Sequence, residues 1–153
     1  MREVYGNLWD FHGKGYSLVV PTNLGWRRDG SNVMGRGVAS QAAHKFPDLP
    51  QIYGEVCQDM AARGVAEIWF YEGLIFFPTK PLDEKKPWLS WMGRSVAAVV
   101  EKSTMQLAAW SNPGERIALP LVGCGNGGLP EEVVLPILRY HLKADRFMLV
   151  RLP

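Results

Sequence analysis

The chain has 153 residues, of which 47% are hydrophobic, 21% charged and 11% aromatic; this suits one domain burying about 70% of its unfolded surface and excludes disorder or a collagen-like repeat. Seventeen Lys and Arg against fifteen Asp and Glu leave a formal charge of +2, too small a surplus to name nucleic acid, or any partner, from composition. Cys57 and Cys124 form neither a CxxC pair nor a disulfide framework, so no zinc site or secreted disulfide scaffold is indicated and a reducing compartment fits.

The opening MREVYGNLWDFHGKGYS lacks the apolar run of a signal peptide, and no stretch approaches the roughly 18 apolar residues of a membrane span. A soluble, cytoplasmic protein is expected. Tyr16 to Val20 is a β-prone run ending at Pro21. Val38 to Lys45 and Gln51 to Ala62 read as helices, the second with Ile52, Val56 and Met60 four apart on one face. Ala66 to Tyr71 and Leu74 to Phe77 are two strand runs that Gly73 can join as a hairpin. From Leu89 to about Trp110, Met92, Val96, Val99, Val100, Ser103 and Leu107 trace a helical stripe, and Asn112-Pro113-Gly114 supplies a terminating turn. Ile117 to Val122 is a further strand run. Glu131 to Leu142 repeats the helical pattern through Val134, Ile137, Leu138 and His141, with Pro136 counting against an unbroken helix. Phe147 to Leu152 closes the chain. The near-continuous apolarity of IALPLV and FMLV predicts strands covered on both faces, and the alternation as a whole predicts a three-layer α/β domain.

Two glycine-bearing segments fall where strands hand over to helices, the place where ligands gather in such sheets. In Val33-Met34-Gly35-Arg36-Gly37-Val38-Ala39 the glycines let the backbone approach an anion, and a helix start adds its positive end. A tight turn into a helix is the alternative. In Leu121-Val122-Gly123-Cys124-Gly125-Asn126-Gly127-Gly128-Leu129 the glycine density exceeds what a plain turn needs and favours backbone packed around a bulky polar ligand. Neither a Walker loop nor a dinucleotide fingerprint is present. Cys124 has no paired base in the sequence and reads as a small packed thiol.

With the chain around them, these segments resemble a macrodomain, the ADP-ribose-binding α/β module. Gly6-Asn7-Leu8 is similar to the family's opening Gly-Asp-Ile or Gly-Asp-Leu, VVPTN at Val19 to Asn23 to its Val-Asn-Ala-Ala-Asn strand end, and GCGNGGL to its second phosphate loop. The order MGRGVASQAAHKFP, Pro78-Thr79-Lys80, GCGNGGL resembles the DNA ADP-ribosylglycohydrolase antitoxins of the DarG type and their glutamate-linked eukaryotic relatives.

The resemblance implies one macrodomain over residues 1–153, a three-layer α/β/α fold with a mixed central sheet, and no cofactor. It implies ADP-ribose, free or attached to a macromolecule such as DNA, as the partner. Asn7, with Leu8 beside it, would meet the adenine amino group, and Asn23 the distal ribose. Met34, Gly35, Arg36, Gly37, Val38 and Ala39 would flank the distal ribose and diphosphate. Leu121 through Leu129, namely Leu121, Val122, Gly123, Cys124, Gly125, Asn126, Gly127, Gly128 and Leu129, would wrap the diphosphate from the other side. Thr79 would lie beside Lys80, which matches the catalytic lysine of the glycohydrolases and in the eukaryotic branch attacks the distal ribose. Such chemistry requires an unprotonated amine, and so a pKa depressed by burial or by nearby positive charge; Lys85 and Lys86 could supply that charge, opposed by Asp83 and Glu84.

The chain departs from the family's pattern at Asn7, which replaces the aspartate, at Gly127, which replaces an acidic residue of the eukaryotic relatives, and at Leu129-Pro130-Glu131, where DarG-type loops continue Leu-Asp-Trp. Glu131 or Glu132 could supply a ribose-binding carboxylate, although acidic residues suit a helix start in any case. Arg27, Arg28 and Arg36 are further candidates at the mouth, against a solvated basic loop. Trp26, Trp88 and Trp91 could stack on nucleobases or pack at the rim, whereas Trp69 and Trp110 read as core. His12, His44 and His141 have no metal-ligand spacing, and no metal site is expected. Hydrolysis of an ADP-ribosyl linkage is the leading function; a non-catalytic ADP-ribose-binding module and an ADP-ribose 1″-phosphate phosphatase are the alternatives.

Overall fold

The computed structural model describes residues 1–110 and 113–153. Six strands, β1 (Arg2–Tyr5), β2 (Tyr16–Thr22), β3 (Trp69–Tyr71), β4 (Leu74–Pro78), β5 (Arg116–Leu119) and β6 (Phe147–Arg151), form one sheet in the order β1-β6-β5-β2-β4-β3. Among the described residues only β3 runs antiparallel to its neighbour. Four helices, α1 (Gly37–Lys45), α2 (Leu49–Arg63), α3 (Ala97–Trp110) and α4 (Glu131–His141), supply the outer layers.

Strand alternation makes the three layers. Successive side chains point to opposite faces, so Leu18, Val20, Leu74, Phe76, Ala118, Met148 and Val150 share one core cluster with Ala42, Tyr53, Cys57 and Met60 of α1 and α2. Val19, Ile75, Phe77, Ile117, Leu119, Phe147 and Leu149 share the other with Val100 and Leu107 of α3 and Val134 and Leu138 of α4. Both faces are covered, as the apolar runs predict.

Several boundaries differ from the sequence expectations. β2 continues through Pro21 to Thr22, with Pro21 opposite Phe77. The Ala66 to Tyr71 run is a strand only from Trp69, because the Gln106 side chain of α3 bonds the Ile68 N–H at 3.0 Å and the Ala66 carbonyl at 3.0 Å. At the β3–β4 turn Glu72 and Gly73 have φ of 50° and 74°, the paired left-handed conformation of a tight hairpin. β5 stops at Leu119, before Pro120.

The helix expected from Leu89 begins only at Ala97; before it lie a 3-10 turn, Pro87–Leu89, and an irregular stretch. Backbone groups in that stretch bond to other elements, including the Ser95 N–H to Gly127 and the Val96 N–H to Thr79. Met92 and Val96 are accordingly 70% and 40% exposed, off the buried stripe. Asn112 of the expected turn lies outside the described residues. α4 runs unbroken through Pro136, which sits on its exposed side, so only one helical bond is lost and no core contact. Edge strand β1, whose REVY is mostly exposed, lacks the apolar alternation that would have revealed it. Trp110 is 45% exposed and stacks on Phe70 at 3.8 Å, a surface aromatic pair instead of a core residue. Among the described residues no helix is long and apolar enough to cross a membrane.

Candidate functional site

Parallel strands end on the same side of a sheet, and the crevice above those ends is where ligands collect. Here β2, β4, β5 and β6 end around a cleft of about 670 Å³. Thr22 and Asn23 enter it from β2, Thr79 and Lys80 from β4, Pro120 and Leu121 from the end of β5, and Val150, Arg151 and Leu152 from β6.

The first glycine segment forms one wall. Arg36 is the N-terminal flanking residue of α1 and makes no side-chain cap, so the positive end of the helix, carried by Gly37, Val38 and Ala39, faces the cleft. Asn23 braces the loop before it: its Nδ2 donates to the Val33 carbonyl at 2.9 Å, and its Oδ1 accepts from Gly25 N at 3.0 Å and from Asn32 Nδ2 at 2.9 Å. Asn23 therefore lines the cleft while both of its polar atoms hold protein.

The second segment forms the opposite wall, with Leu121, Gly123, Cys124, Gly125, Asn126 and Gly127 lining the cleft. Gly123 and Gly125 have φ of 76° and 61°, conformations that disfavour any residue with a Cβ. Gly127 needs its small size for another reason: a Cβ there would meet the Oγ of Ser95 and stand 3.0 Å from its Cβ. Burial and the nearby Glu132 carboxylate raise the Cys124 thiol pKa, which disfavours the thiolate and keeps this residue a packed thiol.

Lys80 lies half-buried between the walls. Its Nζ donates to the Trp91 carbonyl at 2.9 Å. Desolvation lowers its pKa from the ordinary lysine value, and the Arg36 charge lowers it further. The positive neighbour is thus Arg36, across the cleft wall, in place of Lys85 and Lys86. These two instead give their backbone N–H groups to Asp83, at 3.2 and 3.0 Å, in an exposed turn.

Several expected site residues stand outside the cleft. Asn7 caps the Leu8–Phe11 turn, its Oδ1 accepting from Trp9 N at 3.0 Å, and Leu8 is buried in the core. The Gly6 N–H bonds the Arg151 carbonyl at 2.8 Å, which sets this turn beside the β6 end without putting Asn7 or Leu8 on the cleft surface. Met34 and Val122 are core residues. Leu129 packs against the α3–α4 core, and Gly128 (φ 78°) faces the Arg94 side chain. Arg27 and Arg28 belong to an exposed loop off the cleft. Glu131 pairs with Arg151 at the start of α4, and no carboxylate lines the cleft among the described residues. Trp91 lines it, Trp26 packs against the core and Trp88 is 38% exposed. His12 and His44 bond backbone carbonyls away from it, and the described residues contain no group of metal-ligating side chains.

The sequence reading missed Ser95, Pro120 and the β6 end from Val150 to Leu152 as cleft residues. Ser95 stood inside a stretch read as helix, and an apolar strand end carries no local mark of a ligand wall.

No protein-family model matches the chain. It is 31% identical over 122 residues to a DNA ADP-ribosyl glycohydrolase of Thermus aquaticus, an alignment covering 73% of this chain and 31% of that protein. The chain thus spans about a third of that relative's length. The macrodomain of Thermus aquaticus DarG superposes with a TM-score of 0.71 at 30% identity, over 99% of this chain and 97% of that one. The structure of Thermosipho africanus DarTG in complex with ADP-ribose superposes with a TM-score of 0.70 at 22% identity, over 99% of this chain and 42% of that one. Thirty per cent identity and a TM-score of 0.71 over 97% of that Thermus aquaticus macrodomain place the chain in the macrodomain family.

Proposed function

We propose that the chain binds ADP-ribose in this cleft and hydrolyses the bond linking it to a modified macromolecule, with ADP-ribosylated thymidine in DNA as the first acceptor to test. The observation that carries the reading is the Lys80 amine, half-buried and lowered in pKa beside Arg36, in the same cleft as both glycine loops. The name of the Thermus aquaticus relative, DNA ADP-ribosyl glycohydrolase, and the ADP-ribose in the Thermosipho africanus complex point the same way.

Each part of the cleft has a task in this reading. The start of α1 and the Gly123–Gly127 backbone supply N–H groups to the diphosphate, and Arg36 adds a charge. Unprotonated Lys80 forms a C–N bond to the anomeric carbon of the distal ribose as the bond to the acceptor breaks. The acceptor keeps that electron pair and takes up a proton. Water then hydrolyses the lysine adduct, regenerating the amine and releasing ADP-ribose.

A binding module without turnover is the second reading. It draws on the absence of a cleft carboxylate among the described residues, which leaves proton transfer to Lys80 and solvent. One experiment separates the readings: the purified chain and Lys80→Ala are assayed against ADP-ribosylated DNA, ADP-ribosylated protein and ADP-ribose 1″-phosphate, with ADP-ribose affinity measured by calorimetry. Lys80→Ala is expected to abolish turnover and keep affinity within about tenfold, about 1.4 kcal/mol. Binding without turnover in the native chain favours the module. Phosphate release from the third substrate alone favours a phosphatase, and an unchanged rate in Lys80→Ala removes the lysine from the mechanism.

A further inference from the structure

The irregular stretch between the Pro87–Leu89 turn and α3 joins the two halves of the cleft. Lys80 Nζ donates to the Trp91 carbonyl at 2.9 Å, and the Val96 N–H donates to the Thr79 carbonyl at 3.0 Å. Between them Ser95 reaches two ways: its N–H donates to the Gly127 carbonyl at 2.8 Å, and its Oγ donates to Thr79 Oγ1 at 3.0 Å. Thr79 Oγ1 in turn donates to the Thr22 carbonyl at 3.5 Å. The Ser95 side chain thereby touches the end of β4 while its backbone holds the second glycine loop.

We infer that Ser95 is a positioning residue that locks the Thr79–Lys80 strand end to the second glycine loop, so that the place of the amine and the shape of the loop are one geometry. This rests on the reading of Lys80 as the reacting amine. Three observations carry it. Ser95 is 5% exposed, so its hydroxyl has no bulk water as a substitute partner, and losing the bond leaves Thr79 short of one. The hydroxyl is committed to β4 and not to α3, whose flanking residue is Val96, its carbonyl accepting from the Val99 and Val100 N–H groups. The packing has no slack: a Cβ on Gly127 would stand 3.0 Å from the Ser95 Cβ, and one on Gly123 would stand 3.5 Å from it. A shift of the loop therefore pushes Ser95, and Ser95 carries the shift to the residue before Lys80. Nothing in the local sequence, where Arg94-Ser95-Val96 reads as part of a helix, marks this role.

The test uses Ser95→Ala in the full chain, with Thr79→Val removing the same hydrogen bond from its other end should the first variant fail to fold. The chain is labelled with ¹³C at the lysine ε carbon, and the Lys80 resonance is titrated without ligand. In either variant Lys80 is expected to titrate closer to an ordinary lysine, because the loosened strand end lets the amine leave its half-buried seat. With ADP-ribosylated DNA or protein as substrate, kcat is expected to fall about ten- to a hundredfold, while the ADP-ribose affinity, set by loop amides that remain, changes by less than about threefold. A serine that only supports the fold would lower the melting temperature and leave both the Lys80 titration and the ratio of kcat to KM unchanged; that result overturns the inference. If the native chain turns over no acceptor, the hydrolase reading fails and the Lys80 titration still decides the role of Ser95.

Discussion

Two glycines of the second loop, two residues apart, should fail in different ways when each is replaced by alanine. Both are left-handed, with φ of 76° at Gly123 and 61° at Gly125, so each replacement costs about 1–2 kcal/mol in backbone conformation. Their surroundings differ. A methyl on Gly123 would stand 3.0 Å from Leu129 Cδ1 and 3.1 Å from Val100 Cγ2, inside the packing against α3, whereas nothing lies within 4 Å of one on Gly125. Overpacking adds about 1–3 kcal/mol at Gly123, for a total of about 2–5 kcal/mol. At about 2–4 °C per kcal/mol for a domain of this size, Gly123→Ala is expected to melt about 4–20 °C below the native chain, and Gly125→Ala about 2–8 °C below it. The binding effects reverse the order. Gly125 lines the cleft and its methyl would stand in open space, so Gly125→Ala is expected to weaken ADP-ribose binding more than Gly123→Ala, whose methyl points into protein. Melting curves and calorimetry on the two variants check both halves. If Gly123→Ala melts no lower than Gly125→Ala, the packing argument is refuted.

Arg36→Gln removes the positive charge that, after burial, lowers the Lys80 pKa. Hydrolysis, which needs the unprotonated amine, is then expected to rise with pH along a limb displaced to higher pH than in the native chain, a displacement that pH–rate profiles measure. Tyr53→Phe removes the buried hydroxyl that lies 2.9 Å from Thr22 Oγ1; urea unfolding should show a loss of about 1–3 kcal/mol. Burial pushes the Cys57 thiol pKa up from 9.0 to about 12. The unfolded chain therefore loses this proton first, and the contribution of Cys57 to stability, intact below pH 9.0, declines as pH rises toward about 12. Cys57→Ala should flatten that decline in denaturation measured across the alkaline range.

The layered fold was legible because burial on both faces leaves a strong mark: the Ile117–Leu119 part of IALPLV in β5 and the FMLV of β6 are apolar with no polar alternation, the pattern of a strand between two helical layers. The glycine loops were legible for a conformational reason, since left-handed positions at Gly37, Gly123 and Gly125 exclude most other residues. The position of Lys80 at a strand end followed from the apolar run before it. Edge strand β1 and the true start of α3 were not legible. β1 is held by its ladder to β6 and not by an apolar pattern, and before α3 the Trp91 carbonyl and the Ser95 and Val96 N–H groups bond distant elements.

The sequence by itself determined which segments could be strands, which loops required glycine, and that a lysine followed β4. Only the tertiary structure decided that Arg36 acts on that lysine, that Asn7 and Leu8 stand off the cleft, and that Ser95 ties one wall to the other. The difference is physical: local conformation and burial are fixed by a residue and its near neighbours, whereas the field at an amine and the partner of a buried hydroxyl depend on groups that folding brings together from far along the chain.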